Sequence, residues 1–125
     1  MSTVLLAEDD PDIRHLVSAK LLRSGFDVIE TADGAEALAA IRRRRPDLVL
    51  IDLRMPRLEG LEVLRELRAD PGTARLPVIV LTARTRGLDA QLGYAAGATD
   101  YIVKPFSPRE LVRRVEDVLT RAGSP

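Results

Sequence analysis

The 125-residue chain has no cysteine and no tryptophan, only two phenylalanines and two tyrosines, and no net formal charge, with 19 basic residues against 19 acidic ones. Without cysteine there is no disulfide framework, no thiol nucleophile and no thiolate zinc site. A neutral chain is poorly suited to coating nucleic acid or an anionic membrane, and so few aromatics leave little to stack on bases. Long apolar runs are missing as well. Runs such as Leu48–Ile51 and Val78–Leu81 are strand-sized, and none approaches the ~18 residues of a membrane span. Met1–Ala7 contains no basic residue and runs straight into acids, unlike a secretory leader, so a cytoplasmic location is expected. Lysine is almost absent: of the 19 basic residues only Lys20 and Lys104 are not arginine. That scarcity makes any retained lysine worth examining.

What is present is an ordinary globular composition, 46% hydrophobic and 30% charged. The length suits one domain, and a chain of this size buries roughly two-thirds of its unfolded surface without a metal or disulfide staple. Residues 1–122 are expected to form that domain, with 123–125 as a tail or the start of a linker.

Short runs rich in Val, Ile and Leu recur at Val4–Ala7, Phe26–Ile29, Leu48–Ile51, Val78–Leu81 and Tyr101–Val103. They do not alternate with polar residues, which suits strands buried on both faces. Helix-sized segments lie between them. The first is opened by Asp10-Pro11, carries Ile13, Leu16, Val17 and Leu21 on one face, and is closed by Gly25. The second starts at Asp33 with Glu36 three residues on, a capping-box pair, followed by Leu38 and Ile41. The third carries Leu61, Leu64 and Leu67 and ends near Asp70-Pro71-Gly72. A fourth, about Arg86 to Ala96, has a thin apolar face and two glycines, Gly87 and Gly93, each costing up to ~1 kcal/mol in a helix interior. The last opens on Ser107-Pro108-Arg109-Glu110 and buries Leu111, Val112, Val115, Val118 and Leu119. Strict β-α alternation predicts an α/β fold, a doubly wound parallel sheet with helices on both faces, whose ligands bind beyond the carboxyl ends of the strands.

Those strand ends carry chemistry that a core strand does not need. Glu8, Asp9 and Asp10 follow the first strand, Asp52 ends the third, Thr82 the fourth and Lys104 the fifth. Clustered carboxylates repel, by about 4 kcal/mol for unit charges roughly 4 Å apart at an effective dielectric near 20. Either one carboxyl stays protonated or a cation joins them. A hard divalent cation with oxygen ligands, magnesium above all, is the economical solution.

Four segments in order then resemble one family: Val4–Arg14, Leu50–Pro56 with Gly60, Val80–Ala83 and Gly97–Phe106. Together they make the chain similar to a CheY-like receiver domain of a two-component response regulator over roughly Thr3 to Arg121. The resemblance implies a flavodoxin-like (βα)5 sandwich of strand order 2-1-3-4-5. It implies that Asp52 is the phosphoacceptor, attacking a phosphoryl group in line to give an acyl phosphate. Asp9, Asp52 and the backbone carbonyl of Arg54 would ligate magnesium, with Glu8 acting through a water. Lys104 would contact a phosphoryl oxygen and Thr82 would hydrogen-bond the phosphoryl group. Movement of Thr82 would let Tyr101 swing inwards and change an output face made by the fourth helix, fifth strand and last helix. The Lys104–Pro105 bond is one commonly cis in the family. The implied partner is a histidine kinase or a histidine phosphotransfer protein, and the only chemistry is the domain's own phosphorylation and dephosphorylation.

Arg54 and Arg84 occupy variable positions that flank the phosphoryl group in the family, and two long cations there are expected to slow hydrolysis by filling the water route. Asp100, Glu110, Arg114 and Arg121 match part of an acid–base set through which some receiver domains form phosphorylation-dependent homodimers. Ala90 and Thr99 fall where charged partners belong, against that mode. Plainer roles suit the rest: Asp10 caps a helix, His15 faces solvent, and Arg42–Arg45 complement a helix C-terminus rather than bind nucleic acid.

Other classes fit less well. A haloacid-dehalogenase-like phosphatase also uses an aspartate nucleophile and magnesium, but needs a second Asp where Arg54 stands, and a cap domain. No Gly-x-Gly-x-x-Gly or P-loop follows a strand. A flavodoxin wants aromatics around its flavin. A receiver-like interaction module that is never phosphorylated would not need Glu8, Asp9, Asp52, Thr82 and Lys104 together.

Overall fold

The inner apolar runs, Val4–Ala7, Leu48–Ile51 and Val78–Leu81, form strands covered on both sides, while Phe26–Ile29 and Tyr101–Val103 fall at the edge strands, where burial is partial. The computed structural model describes residues 2–55, 57–83, 94 and 96–123. The strands are Thr3–Ala7 (β1), Asp27–Thr31 (β2), Leu48–Asp52 (β3), Val78–Ala83 (β4) and Asp100–Lys104 (β5). The described helices of regular length are Pro11–Arg23 (α1), Gly34–Arg44 (α2), Gly60–Ala69 (α3) and Pro108–Gly123 (α4). Every strand pair is parallel and the order is β2-β1-β3-β4-β5, the doubly wound arrangement expected. The helix expected from about Arg86 to Ala96 lies outside the described residues except for Tyr94 and Ala96, so α4 is the helix expected after Ser107.

Alternation along each strand divides the core into two layers. Leu5, Val49, Ile51, Val78 and Val80 pack against Ala37, Leu38 and Ile41 of α2 and Val63, Leu64 and Leu67 of α3. Their immediate neighbours Val4, Leu6, Leu48, Leu50, Ile79 and Leu81 pack against Val17 and Leu21 of α1 and Leu111, Val115 and Val118 of α4. Fully burying such a side chain is worth about 1.5–3 kcal/mol. The interiors of the inner strands are therefore apolar, and their polar residues come at the strand ends.

Three of the four described helices start at side-chain caps, α3 starting after Glu59 without one. The Asp10 carboxylate accepts from the amides of Asp12 and Ile13 at 2.9 and 3.3 Å. Asp33 accepts from the Glu36 amide at 2.8 Å and the Ser107 hydroxyl from the Glu110 amide at 3.0 Å. Pro11 and Pro108 take first-turn positions where no amide is needed.

The buried stripe of α1 differs from the one expected. Leu16 is 57% exposed and Ser18 only 3%. The stripe is rotated towards β2, where the Ser18 hydroxyl donates to Glu30 Oε2 at 3.0 Å. Period alone sets the width of a stripe, and the partner sets its centre.

At the other edge, α4 is tied to β5 by one guanidinium. Arg114 donates from Nη2 and Nε to the two carboxylate oxygens of Asp100 at 2.7 and 3.0 Å, and from Nη2 to the Tyr101 carbonyl at 2.9 Å. Two members of the partial acid–base set, Asp100 and Arg114, thus pair within one chain. Burial would raise the Asp100 carboxyl, but the Arg114 hydrogen bonds and the Tyr101 amide outweigh it and hold the group below its ordinary 3.8.

Two glycines are needed for different reasons. Gly25 has φ +97° and open space where a methyl group would sit, so only its left-handed backbone matters. Gly34 lies where a Cβ would collide with the Leu58 carbonyl of the β3–α3 loop. Gly25→Ala is expected to cost about 1–2 kcal/mol, and Gly34→Ala about 3 kcal/mol because rigid backbone must move. Urea unfolding that found the smaller loss at Gly34 would contradict this packing. Asp100→Asn should cost about 1–2 kcal/mol at neutral pH. A depressed acid stabilises the fold above its unfolded pKa and loses that contribution as pH falls through the folded value. The stability gap between wild type and Asp100→Asn should therefore close below about pH 4; a gap constant into the acid range would show that Asp100 is not held in this way.

Candidate functional site

The polar rim is a product of register. Ala7 pairs with Ile51, so the next residues, Glu8 and Asp52, fall side by side on strands about 4.8 Å apart. Asp52 pairs with Leu81, Thr82 with Val103, and Ala83 with Lys104. Lys104 is two strands from Asp52, roughly 10 Å at that spacing, a gap only a long side chain crosses. Alternation sets Glu8, Asp52 and Lys104 on the sheet face of Leu6, Leu50 and Ile102. Thr82 follows Val80 on the opposite face, where Tyr101 packs against the core.

Lys104 makes the crossing. Its Nζ donates to Asp52 Oδ2 at 2.6 Å and to Glu8 Oε1 at 2.8 Å. The second oxygen of each carboxylate is held by backbone: Asp52 Oδ1 accepts from the Arg54 amide at 3.0 Å and Glu8 Oε2 from the Asp10 amide at 3.2 Å. Glu8 is fully buried and Asp52 nearly so, while Asp9 is exposed. Carboxylate oxygens of Glu8, Asp9 and Asp52 lie within 4.8 Å of one another.

Burial pushes the Glu8 carboxyl up to about 7, the charge of Asp52 adding to the rise and the Lys104 hydrogen bond opposing it. For Lys104, burial alone would lower the ammonium, but its hydrogen bonds to Asp52 and Glu8 reverse the direction and keep it charged. One internal cation thus shares two acids, with a third acid open to solvent beside them. Three hard oxygen donors on one side of a solvent-open rim fit a divalent cation, and the cluster is able to coordinate one.

Thr82 is buried beside this rim, and its hydroxyl has no hydrogen-bond partner among the described residues. Orphan buried hydroxyls are rare, because each forfeits about 1–3 kcal/mol of hydration. Tyr101 is half-buried, its ring edge-on to Tyr94 at 5.3 Å and 88°. Its amide donates to Asp100 Oδ1 at 2.8 Å. The Lys104–Pro105 peptide is cis. The Arg54 side chain is exposed next to Asp52, and Arg84 lies outside the described residues. His15 is exposed on α1, apart from the rim set.

Sequence reasoning passed over Arg14. This residue donates from Nη1 to the Glu8 carbonyl at 2.9 Å and pairs through Nε with Glu30 at 3.5 Å. The available signal was its place between Ile13 and Val17, a charge on the stripe facing the sheet.

No described helix is long and apolar enough to cross a membrane. The family model for the response regulator receiver domain matches residues 4–116. The DNA-binding response regulator MtrA of Mycolicibacterium smegmatis is 46% identical over 118 residues, 94% of this chain and 50% of that protein. The chain therefore spans about half the length of the curated relatives it matches. Among solved structures, the Francisella response regulator 1452 receiver domain superposes with a TM-score of 0.89 at 36% identity, covering 97% of this chain and 98% of that one. The chemotaxis response regulator CheY4 of Vibrio cholerae does so with a TM-score of 0.89 at 36% identity, covering 94% and 98%. With an acidic cluster at the strand ends positioned for metal-dependent phosphotransfer, and chemistry confined to its own phosphorylation and dephosphorylation, the chain belongs to the receiver-domain family of two-component response regulators.

Proposed function

We propose that Asp52 accepts the phosphoryl group, within a receiver unit extending over residues 1–122. The observation that carries this reading is the Thr82 hydroxyl, buried without a partner among the described residues, beside an acid already held at 2.6 Å by Lys104. An acceptor arriving on Asp52 would satisfy it. The Arg54 amide and the Lys104 ammonium orient the two oxygens of Asp52, leaving the carboxylate to attack phosphorus in line. A phosphorus–oxygen bond forms to Asp52 while the donor's bond to phosphorus breaks, and the electron pair leaves with the donor, a histidine imidazole or a small acyl phosphate. Lys104, a compact ammonium with three donors, moves one of them to a phosphoryl oxygen. Asp9, Asp52 and the Arg54 carbonyl, with Glu8 through a water, would hold magnesium, which supplies neutralisation of charge between the anionic nucleophile and the anionic group.

The signal then passes through side-chain contacts. The Thr82 hydroxyl donates to the new phosphoryl oxygen, and Tyr101 turns into the space released. The Arg86–Ala96 segment, β5 and α4 form the output face. The donor is a cytoplasmic histidine kinase or histidine phosphotransfer protein, and a phosphorylation-dependent homodimer is one use of that face. The segment itself binds neither nucleic acid nor membrane; a downstream effector domain or protein reads the switch.

Incubation with acetyl phosphate and magnesium should add one phosphoryl group by intact mass, with no gain for Asp52→Ala or in EDTA. A gain that survives Asp52→Ala would remove Asp52 from this role. Arg54 and Arg84 are placed by this reading across the route of attacking water. Arg54→Asn and Arg84→Ala should each shorten the phosphoryl lifetime, by about tenfold or less for one contact worth up to ~1.4 kcal/mol. A wild-type lifetime equal to or shorter than theirs would end that assignment.

A further inference from the structure

We propose that Arg14 is a positioning residue for the acidic rim, and that Glu30 aims and neutralises it. The inference rests on the reading that Glu8, Asp9 and Asp52 hold a divalent cation.

The β1 ladder to β3 stops at the Ala7–Ile51 pair, one residue before the acids. The Glu8 amide still donates to the Thr31 carbonyl at 3.1 Å. Its carbonyl lies past the last rung and receives Arg14 Nη1 at 2.9 Å instead. A buried carbonyl needs such a partner, and here the partner fixes the peptide plane joining Glu8 to Asp9. That plane decides how two successive side chains diverge. Glu8 turns inward to Lys104 and is fully buried, while Asp9 stays exposed with its carboxylate within 4.8 Å of the other two. If the plane were released, the Asp9 carboxylate would lose its fixed place in the cluster.

Arg14 is itself held. Its side chain is 17% exposed, and Nε faces Glu30 Oε1 at 3.5 Å. The other oxygen of Glu30 accepts from the buried Ser18 hydroxyl at 3.0 Å. This relay explains why α1 turns Arg14 and Ser18 to the sheet and leaves Leu16 outside. It also settles a charge problem. A bare guanidinium beside the rim would repel an incoming cation, and Glu30 cancels that charge without touching the metal ligands.

The two roles Arg14 could have give opposite signs. A purely electrostatic arginine weakens cation binding, so its removal would tighten it. A positioning arginine strengthens binding, so its removal would weaken it. Magnesium titration by calorimetry on the whole chain, without a phosphodonor, reads this directly, with thermal unfolding in EDTA recorded alongside. Arg14→Met should weaken the magnesium Kd by about tenfold, the low end for a partner that orients a ligand. Arg14→Lys, which retains a donor for the Glu8 carbonyl, should recover most of the loss. Glu30→Gln, at a partly exposed position, should weaken Kd by about threefold, and added salt should reduce its effect because it leaves a charge uncancelled. A Kd for Arg14→Met that is unchanged or tighter, whatever happens to its Tm, would overturn the proposal. If Arg14→Met does not fold, Glu30→Gln decides the matter by the same criterion. Wild type that takes up no magnesium would overturn the cation reading and this inference with it, whereas magnesium binding in wild type with no effect of these variants would overturn the inference alone.

Discussion

The ammonium of Lys104 is shared by two carboxylates from two other strands, and the arrangement of the rim depends on that sharing. Asp52 and Glu8 are forced together by parallel register, one step beyond the last apolar pair, in a place where their charges are poorly screened. Without a cation between them the cluster would be under repulsion of several kcal/mol at full ionisation. Lys104 reaches from the far side of β4 to contacts of 2.6 and 2.8 Å and removes most of that repulsion. Burial, more than the neighbouring Asp52 charge, holds the Glu8 carboxyl up at about 7 despite the Lys104 contact, so its charge is incompletely stabilised. That residual deficit, with Asp9 open to solvent, is what makes a second and mobile cation a reasonable occupant.

The strand order turns this local balance into a route across the sheet. β4 lies between β3, which carries Asp52, and β5, which carries Tyr101 and Lys104. Thr82 is the β4 residue at the rim, on the opposite face from the Lys104 contacts and on the same face as Tyr101. Asp100 and Arg114 hold the Tyr101 backbone from both ends, one at its amide and one at its carbonyl. Only the ring is left to respond; it is half-buried against the core and meets the exposed Tyr94 edge-on. An aromatic contact of that kind is worth about 0.5–1.5 kcal/mol, comparable with one net hydrogen bond. In the proposed switch, one hydroxyl gaining a phosphoryl acceptor is therefore energetically sufficient to bias the ring.

Much of this was legible in the chain. Runs rich in Val, Ile and Leu locate all five strands to within about two residues; the inner strands are plainest, because burial on both faces leaves few polar positions to blur them. Asp10, Asp33 and Ser107 locate helix starts, since orphan amides must be met locally. The site residues stand out for a related reason: in a parallel sheet every strand ends at one rim, so Glu8, Asp52, Thr82 and Lys104 converge without any knowledge of side-chain contacts. What could not be read was whatever depended on a partner distant in sequence. Leu16 and Ser18 exchange places because Glu30 of β2 waits opposite, and helical period carries no trace of it. The contacts of Arg14 with the Glu8 carbonyl and Glu30 depend on the same packing of α1 against the sheet. The pairing of Asp100 with Arg114 within one chain, at 2.7 Å, depends likewise on β5 and α4 being brought together.

The choice of lysine at position 104 follows from the same geometry rather than from composition. Arginine is the chain's ordinary cation, and at Asp100 it does what a guanidinium does well, gripping one carboxylate with two parallel donors. The rim poses a different problem. Two carboxylates on separate strands present one oxygen each, their other oxygens being held by the amides of Arg54 and Asp10. A planar fork that engaged Asp52 through both oxygens would have to displace the Arg54 amide and turn away from Glu8. A point charge with three rotatable donors can bridge both acids and still exchange one of them for an incoming oxygen. Shared contacts that must be redistributed favour lysine, and fixed contacts that must not move favour arginine. Lys104 and Arg114 illustrate that division between the two kinds of cation in this chain.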